Sequence, residues 1–457
     1  MYDELKLQFG VLDSNSLKIL DDIWHNDLKN RKIVSEFLKD ASFGEKRLIS
    51  MPERVTASIK SLFGKEVFRP SPITGFPHEM GDIAIWWGVW KKFMFHTPVC
   101  IRGKSATCPF ALLQTIPRAK YPALTPEEEA ASRPLQALCL ALFDAALTWL
   151  LSALAPDTWQ PLRNDLHRAL HEDKPARCVA ILQEHYAAAD VVFIQEASEA
   201  FAARAGASLD HHVLRPAGAD GRRRQMSLVL LRRGAFDLST VRDVTADVLE
   251  RLARPCVEPG DLCAVTVSSA RGGRLLLASF HGDSDGRSTA PVLAALDGLA
   301  RERLPGHTLL VGLDANPPAG GDGALAAAAA AAGLASCWEG AAGAWTTRKA
   351  RTPLQPQLHK AAPRGSALAP AHARLADWLL FRPAQLAPRA VARDNTGRGR
   401  FDAGAGGVMP SRAFPSDHAV VAAAFRVRRR DAPPSPPSLP APPELLPSAA
   451  CLFAQET

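Results

Sequence analysis

From Asp190 to Val427 the sequence breaks into short apolar runs, each closed within a few residues by a polar cluster or a turn. Such runs, bounded by breakers, read as strands, and those apolar at every position read as strands buried on both faces. Val191–Gln195, Ser227–Leu231, Leu262–Ser268, Leu275–Phe280, Leu309–Leu313, Trp378–Phe381 and Val420–Val427 meet that description. Leu262–Ser268 and Leu275–Phe280 flank Arg271-Gly272-Gly273, a hairpin signal. Helical patterns over Ala290–Glu302 and Leu325–Ala332 fall between the strands, so the expected class is α/β, with sheets covered by helices.

The remainder of the chain is harder to place. At 457 residues it exceeds one small core and points to two or three structural units. A hydrophobic share of 47% and a charged share of 22% are those of a globular protein and exclude a disordered or collagen-like chain. The net charge of +7 and pI near 9.0 fit an anionic substrate such as a phosphate ester or nucleic acid. Part of that excess sits in Arg222–Arg224 and Arg428–Arg430, so the balance has little weight. None of the 8 cysteines forms a Cys-x-x-Cys pair, which argues against a zinc site and for reduced thiols. The N-terminus lacks a signal pattern, and an intracellular protein, cytoplasmic or nuclear, is the default expectation.

Residues 1–63 read as a helical region, and 66–189 as a first core strand followed by a tryptophan-rich helical insertion. Strand candidates there are Val67-Phe68 and Pro72–Phe76. Trp86, Trp87, Trp90, Phe93 and Phe95 lie beside Lys91 and Lys92; such a basic aromatic helix can stack on bases or lie on a membrane, but such rings are more often core. Thr125-Pro126 followed by three glutamates is a helix start. The apolar stretch Leu135–Leu154 is interrupted by Asp144 and reads as a core helix, so no transmembrane segment is expected. Residues 190–427 would form the main domain, and the proline-rich 428–457 an extended or disordered tail.

Several of the strands end in chemistry. Gln195-Glu196 closes one and Ser279-Phe280-His281-Gly282 another; Gly312-Leu313-Asp314-Ala315-Asn316 closes a third. Asp377 opens the run at Trp378, and Ser416-Asp417-His418 precedes the last strand. Each has a plain reading: a solvated strand end, a satisfied core histidine, a cap or a turn. As an ordered set they resemble the endonuclease/exonuclease/phosphatase superfamily of deoxyribonuclease-like phosphoesterases, over residues 190–427. The segments 280–286, 351–359 and 394–397 are similar to an uncharacterised branch of protists and algae.

The resemblance implies a four-layered α/β-sandwich, two packed mixed sheets flanked by helices, with a helical N-terminal region or insertion. It implies a divalent-metal-dependent phosphoesterase with Mg²⁺, or Mn²⁺, as cofactor. Glu196 and Asp417 would take the metal, Asp314 would orient or deprotonate the attacking water, and Asn316 would position it. His418, oriented by Asp377, would contact the phosphate, and His281 would bind a phosphate oxygen or protonate the leaving group. Asp283 and Asp285 read as turn residues. A hard cation held by a few carboxylates suits an anionic ester. Nucleic acid, phosphorylated small molecules and lipid head groups stay open as substrates, with Arg348, Lys349 and Arg351 as candidate contacts. The alternative is a catalytically weak member acting as a phosphate, nucleic-acid or protein binding module through its aromatic helical region. The family's asparagine at the end of the first core strand has no counterpart before Glu196: another group fills that place, or the metal is held more weakly.

Overall fold

The computed structural model describes residues 1–9, 14–49, 55–60, 66–99, 106–216, 225–284, 286–316, 322–338, 344–349, 372–404, 407–428 and 450–455. Contacts within the chain gather into two units, one over Met1–His167 and one over Arg168–Ala350 with Ala371–Thr457.

The first unit is mainly helical. Its longest helix, Ser132–Leu154, is apolar enough to cross a membrane by length and composition, but it carries Asp144 at its centre. That carboxylate is buried and saturated: Arg69 Nε lies 2.7 Å away, and Ser71 Oγ and Trp90 Nε1 donate to it at 2.7 and 2.9 Å. Arg69 donates in turn to Thr56 Oγ1. A charged pair shut from water this way is tolerable only while each member keeps its partners. Asp144→Ala is therefore expected to destabilise this unit by about 3–5 kcal/mol, read from its unfolding transition; a loss under about 1 kcal/mol, the worth of an exposed pair, would contradict the burial.

The tryptophan-rich segment is core. Asp82 caps Ile83–Lys91 by accepting from the Ala84 and Ile85 N–H groups, and Trp86, Trp87 and Trp90 are buried against Phe143 and its neighbours. These three tryptophans therefore offer no exposed ring to a partner. The helix expected at Thr125-Pro126 forms, and Thr125 caps it in a capping box with Glu128. Two short strands, β1 (Ser58–Lys60) and β2 (Glu66–Phe68), pair with each other and, among the described residues, with no other strand. The first core strand expected within 66–189 is thus corrected: β2 belongs to this local hairpin, Pro72–Phe76 is not a strand, and the boundary between units falls at His167, not near 190.

The second unit holds the remaining strands: β3 (Val191–Ala197), β4 (His211–Leu214), β5 (Met226–Arg232), β6 (Phe236–Asp243), β7 (Leu262–Ser269), β8 (Arg274–His281), β9 (His307–Asp314), β10 (Ala335–Ser336), β11 (Thr347–Lys349), β12 (His372–Arg374), β13 (Asp377–Phe381), β14 (Leu386–Asp394), β15 (Val420–Val427) and β16 (Ala450–Gln455). They build two 6-stranded mixed sheets, ordered β10-β13-β9-β8-β7-β6 and β14-β15-β16-β3-β5-β4, beside the small pair β11-β12. β8 and β9 run parallel, as do β16 and β3. The hairpin at Gly272-Gly273 forms as expected, with both glycines at positive φ.

Alternation along β3 explains the layering. Val191 and Phe193 face the other sheet and share a core with Val265, Leu277 and Leu310, on the face where Ser279 and Gly312 also meet β3, while Val192 and Ile194 pack outward on the helices Lys174–His185 and Glu199–Ser208. The first sheet is covered on its far side by the helix Thr289–Glu302 through Val292, Leu293 and Leu296. The order is helix, sheet, sheet, helix: the four-layered α/β-sandwich. The sheets meet closely at Gly312, where a Cβ would come within 2.5 Å of the Phe193 ring. Gly312→Ala is expected to cost about 1–3 kcal/mol by overpacking, as measured by chemical denaturation; an unchanged midpoint would mean that the sheets are less tightly apposed there.

β16 also corrects the reading of 428–457 as an extended or disordered tail. Its last described segment, Ala450–Gln455, lies between β15 and β3 and bonds to both. The proline-rich 431–449, Arg222–Arg224, Asp285 and Arg351 fall outside the described residues.

Candidate active site

The polar strand ends converge because of register. In the first sheet Asp314, at the tip of β9, stands opposite His281 of β8 on one side and Asp377 of β13 on the other. An aspartate so placed is flanked by an imidazole and a second carboxylate with no need of a loop to bring them together. From the second sheet, the end of β3 brings Glu196, and the segment entering β15 brings Asp417 and His418.

Side chains close the contacts. His418 Nδ1 lies 3.0 Å from both oxygens of Asp377, which is fully buried. His281 Nε2 lies 3.5 Å from Glu196 Oε1, 3.9 Å from Asp314 Oδ2 and 3.4 Å from Asn316 Nδ2. Asn316 donates its side-chain N–H to the Gly282 carbonyl at 2.8 Å, and its backbone N–H to Asp314 Oδ1 at 2.8 Å. Glu196 and Asn316 have φ of 55° and 45°, left-handed conformations rare outside glycine. Glu196 reaches its conformation through the irregularity between Ile194 and Ala197 in the β3–β5 ladder. Backbone held in this way is costly, and it concentrates at sites where a side chain must be aimed.

Electrostatics follow from burial. Burial pushes the Glu196 carboxyl up to about 7, with Asp417 and Asp314 adding to the rise and His281 and His418 opposing it. Burial alone would lower the His281 imidazole; its contacts with Asp261, Asp314 and Glu196 outweigh that and leave it raised. Burial likewise opposes protonation of His418, but the Asp377, Asp314 and Asp417 carboxylates raise it to about 10. Asp377 is itself raised by burial and lowered by His418, so the pair retains a proton at neutral pH, held on the imidazole by the acid beside it.

The donor set fits a hard divalent cation. Glu196 Oε2 is buried and has no hydrogen-bond partner among the described residues, a costly state for a carboxylate oxygen unless something positive meets it. Asp417 is near enough to raise the Glu196 carboxyl. Asp314, Asp377 and His418 also each offer a ligand atom, all within 4.8 Å of one another. Asp377 and the Nδ1 of His418 are already engaged with each other, and Asp314 Oδ1 accepts from the Asn316 N–H, so Glu196 and Asp417 are the carboxylates that could hold the cation.

Two positioning residues escape sequence reasoning. Thr346 Oγ1 accepts from the Ala376 and Asp377 N–H groups at 3.0 Å, while its carbonyl accepts from the Ala419 N–H at 2.7 Å. One residue thus ties Asp377 to the chain beside His418. Asp261 Oδ1 lies 3.6 Å from His281 Nδ1, and its carbonyl accepts the His281 N–H. Neither sits in a motif that sequence could single out. Asp283 is the turn residue expected, accepting from the Ser288 and Arg287 N–H groups. Among the basic candidates, Arg348 is held by the Ala403 carbonyl and lies over the Trp345 ring, on a strand bridged to His418 through Thr347. The backbone of Lys349 continues that strand.

Residues 1–164 match the family model described as Domain of unknown function (DUF8234), a span close to that of the first unit. No curated protein matches the chain. Among solved structures it is similar to D. rerio TDP2 complexed with single-strand DNA product, at 15% identity over 56% of this chain and 92% of that one, with TM-score 0.38. It is similar to the human Nocturnin catalytic domain with bound sulfate anion, at 14% identity over 56% and 87%, with TM-score 0.39. It is also similar to an endonuclease/exonuclease/phosphatase from Bacteroides vulgatus, at 11% identity over 56% and 91%, with TM-score 0.40.

Proposed function

We propose that the second unit hydrolyses phosphate esters by water attack with the help of a divalent cation, Mg²⁺ or Mn²⁺. The observation that carries this reading is Asp314 set between His281 and the Asp377–His418 pair, with His281 also 3.5 Å from Glu196, whose buried Oε2 has no hydrogen-bond partner among the described residues. Glu196 and Asp417 would hold the cation, which when bound neutralises the charge of the ester and lowers the pKa of water. Asp314 takes the proton from the attacking water, and Asn316 holds that water or a phosphate oxygen in place. The His418 imidazolium, kept charged and aimed by Asp377, binds a phosphate oxygen. As the bond from phosphorus to the leaving oxygen breaks, His281 gives that oxygen its proton. Arg348 would meet the rest of a polyanionic substrate from the rim.

The test is hydrolysis of DNA, RNA, inositol phosphates and sphingomyelin with Mg²⁺, with Mn²⁺ and with EDTA. The expected result is turnover of at least one substrate that EDTA abolishes, and a Glu196→Gln chain whose apparent Mn²⁺ affinity falls by more than about 10-fold. Equal metal dependence in parent and Glu196→Gln would remove Glu196 from the site.

A further inference from the structure

We infer that the strand Ala450–Gln455 is part of the active site as well as of the sheet, and that Gln455 is a further site residue. The inference rests on the phosphoesterase reading only for the role of Gln455. The second sheet carries its site groups on two strands: Glu196 at the end of β3, and Asp417 with His418 just before β15. Among the described residues these strands do not pair with each other; β16 lies between them. Its antiparallel ladder to β15 runs from Ala450–Ala424 to Phe453–Val421, and its parallel ladder to β3 from Cys451–Val191 to Gln455–Gln195.

Direction decides what β16 brings. It runs parallel to β3, so its C-terminal end lies at the edge where β3 delivers Glu196. Gln455 is paired with Gln195, the residue before Glu196. Continued two residues beyond Phe453–Val421, the β15 register sets Gln455 level with Ala419, the residue after His418. The topology therefore places a glutamine at a register position between the strand ends bearing the proposed metal carboxylates and the imidazole. A carboxamide offers an oxygen to a hard cation and N–H donors to a phosphate oxygen. Strand insertion also sets the spacing of the two half-sheets, and a missing central strand leaves two rows of unpaired backbone groups.

Amide hydrogen exchange and a metal titration test the two parts separately. In the full chain, amides of 451–455 are expected to be protected to the level of β3 and β15. Deletion of 450–457 should raise exchange in Val191–Ala197 and Val420–Val427 by more than about 100-fold, and a synthetic peptide of residues 447–457 added in trans should restore protection by strand addition. Free exchange at 451–455 in the full chain, or unchanged exchange after the deletion, would overturn the strand's role whether or not the chain hydrolyses anything. For Gln455, Mn²⁺ titration of Gln455→Ala in the presence of inorganic phosphate should show affinity reduced about 10- to 100-fold with an unchanged exchange pattern, partly restored in Gln455→Asn. Parent-like affinity in Gln455→Ala would overturn its assignment to the site and leave the phosphoesterase reading standing; no Mn²⁺ binding by the parent would overturn both.

Discussion

Asp314→Asn is expected to lower metal-dependent turnover by about 10²- to 10⁴-fold while leaving the folded chain intact, because it removes a proton acceptor and retains the shape. Asp314 lies at the tip of a strand buried from Leu309 onward, with its backbone paired on both sides. Its Oδ1 accepts from the Asn316 N–H, a bond that a carboxamide oxygen can also accept. Packing and local turn geometry should therefore survive the substitution. The loss should fall on kcat more than on KM, since the group acts on the water and not on substrate binding. A loss confined to KM would make Asp314 a substrate contact, and a matching drop in Tm would make it structural.

The second large effect concerns Asp377 and His418 as a pair. Each of Asp377→Asn and His418→Gln is expected to reduce turnover by about 10²- to 10⁴-fold, and the double variant by no more than the worse single. The reason is geometric. His418 is buried with its Nδ1 3.0 Å from both Asp377 oxygens, so the uncharged carboxamide of Asp377→Asn removes both the group that aims the imidazole and the largest of the charges that keep it protonated. Losses that multiply in the double variant would mean that the two groups act separately. The pair also makes the pH dependence of stability explicit for the metal-free chain. The folded pKa of His418 is raised, to about 10, above the usual unfolded value of about 6.5. Its contribution is thus full below pH of about 6.5 and lost as pH rises through about 10, so EDTA-treated parent should lose Tm on that alkaline limb and His418→Gln should lose less.

What the sequence made legible followed from burial. The strands read in advance, from Val191 to Val427, are central or near-central and apolar at nearly every position, and the groups at their tips were placed by register once the strands were right. The strands missed are the half-exposed ones. β6 spells Phe-Asp-Leu-Ser-Thr-Val-Arg-Asp at a sheet edge, and β14 carries Pro388 at a bulge on the opposite sheet's edge, so neither shows an unbroken run. β16 was missed for a different reason: proline-rich sequence precedes it, and its place between β15 and β3 is a long-range pairing that no local pattern announces. The same holds for Thr346 and Asp261, ordinary residues in ordinary segments whose roles come from what they are folded against. In the first unit the tryptophans were ambiguous between surface and core because composition cannot show that Trp90 has its N–H on a buried Asp144.

Anomalous diffraction from crystals of the chain grown with Mn²⁺ and phosphate would test the central claim most directly. The account predicts an anomalous peak in contact with a Glu196 oxygen and bordered by Asp417 and Asp314, on the side facing His281. A peak held elsewhere, with Glu196 Oε2 still facing no cation, would contradict it.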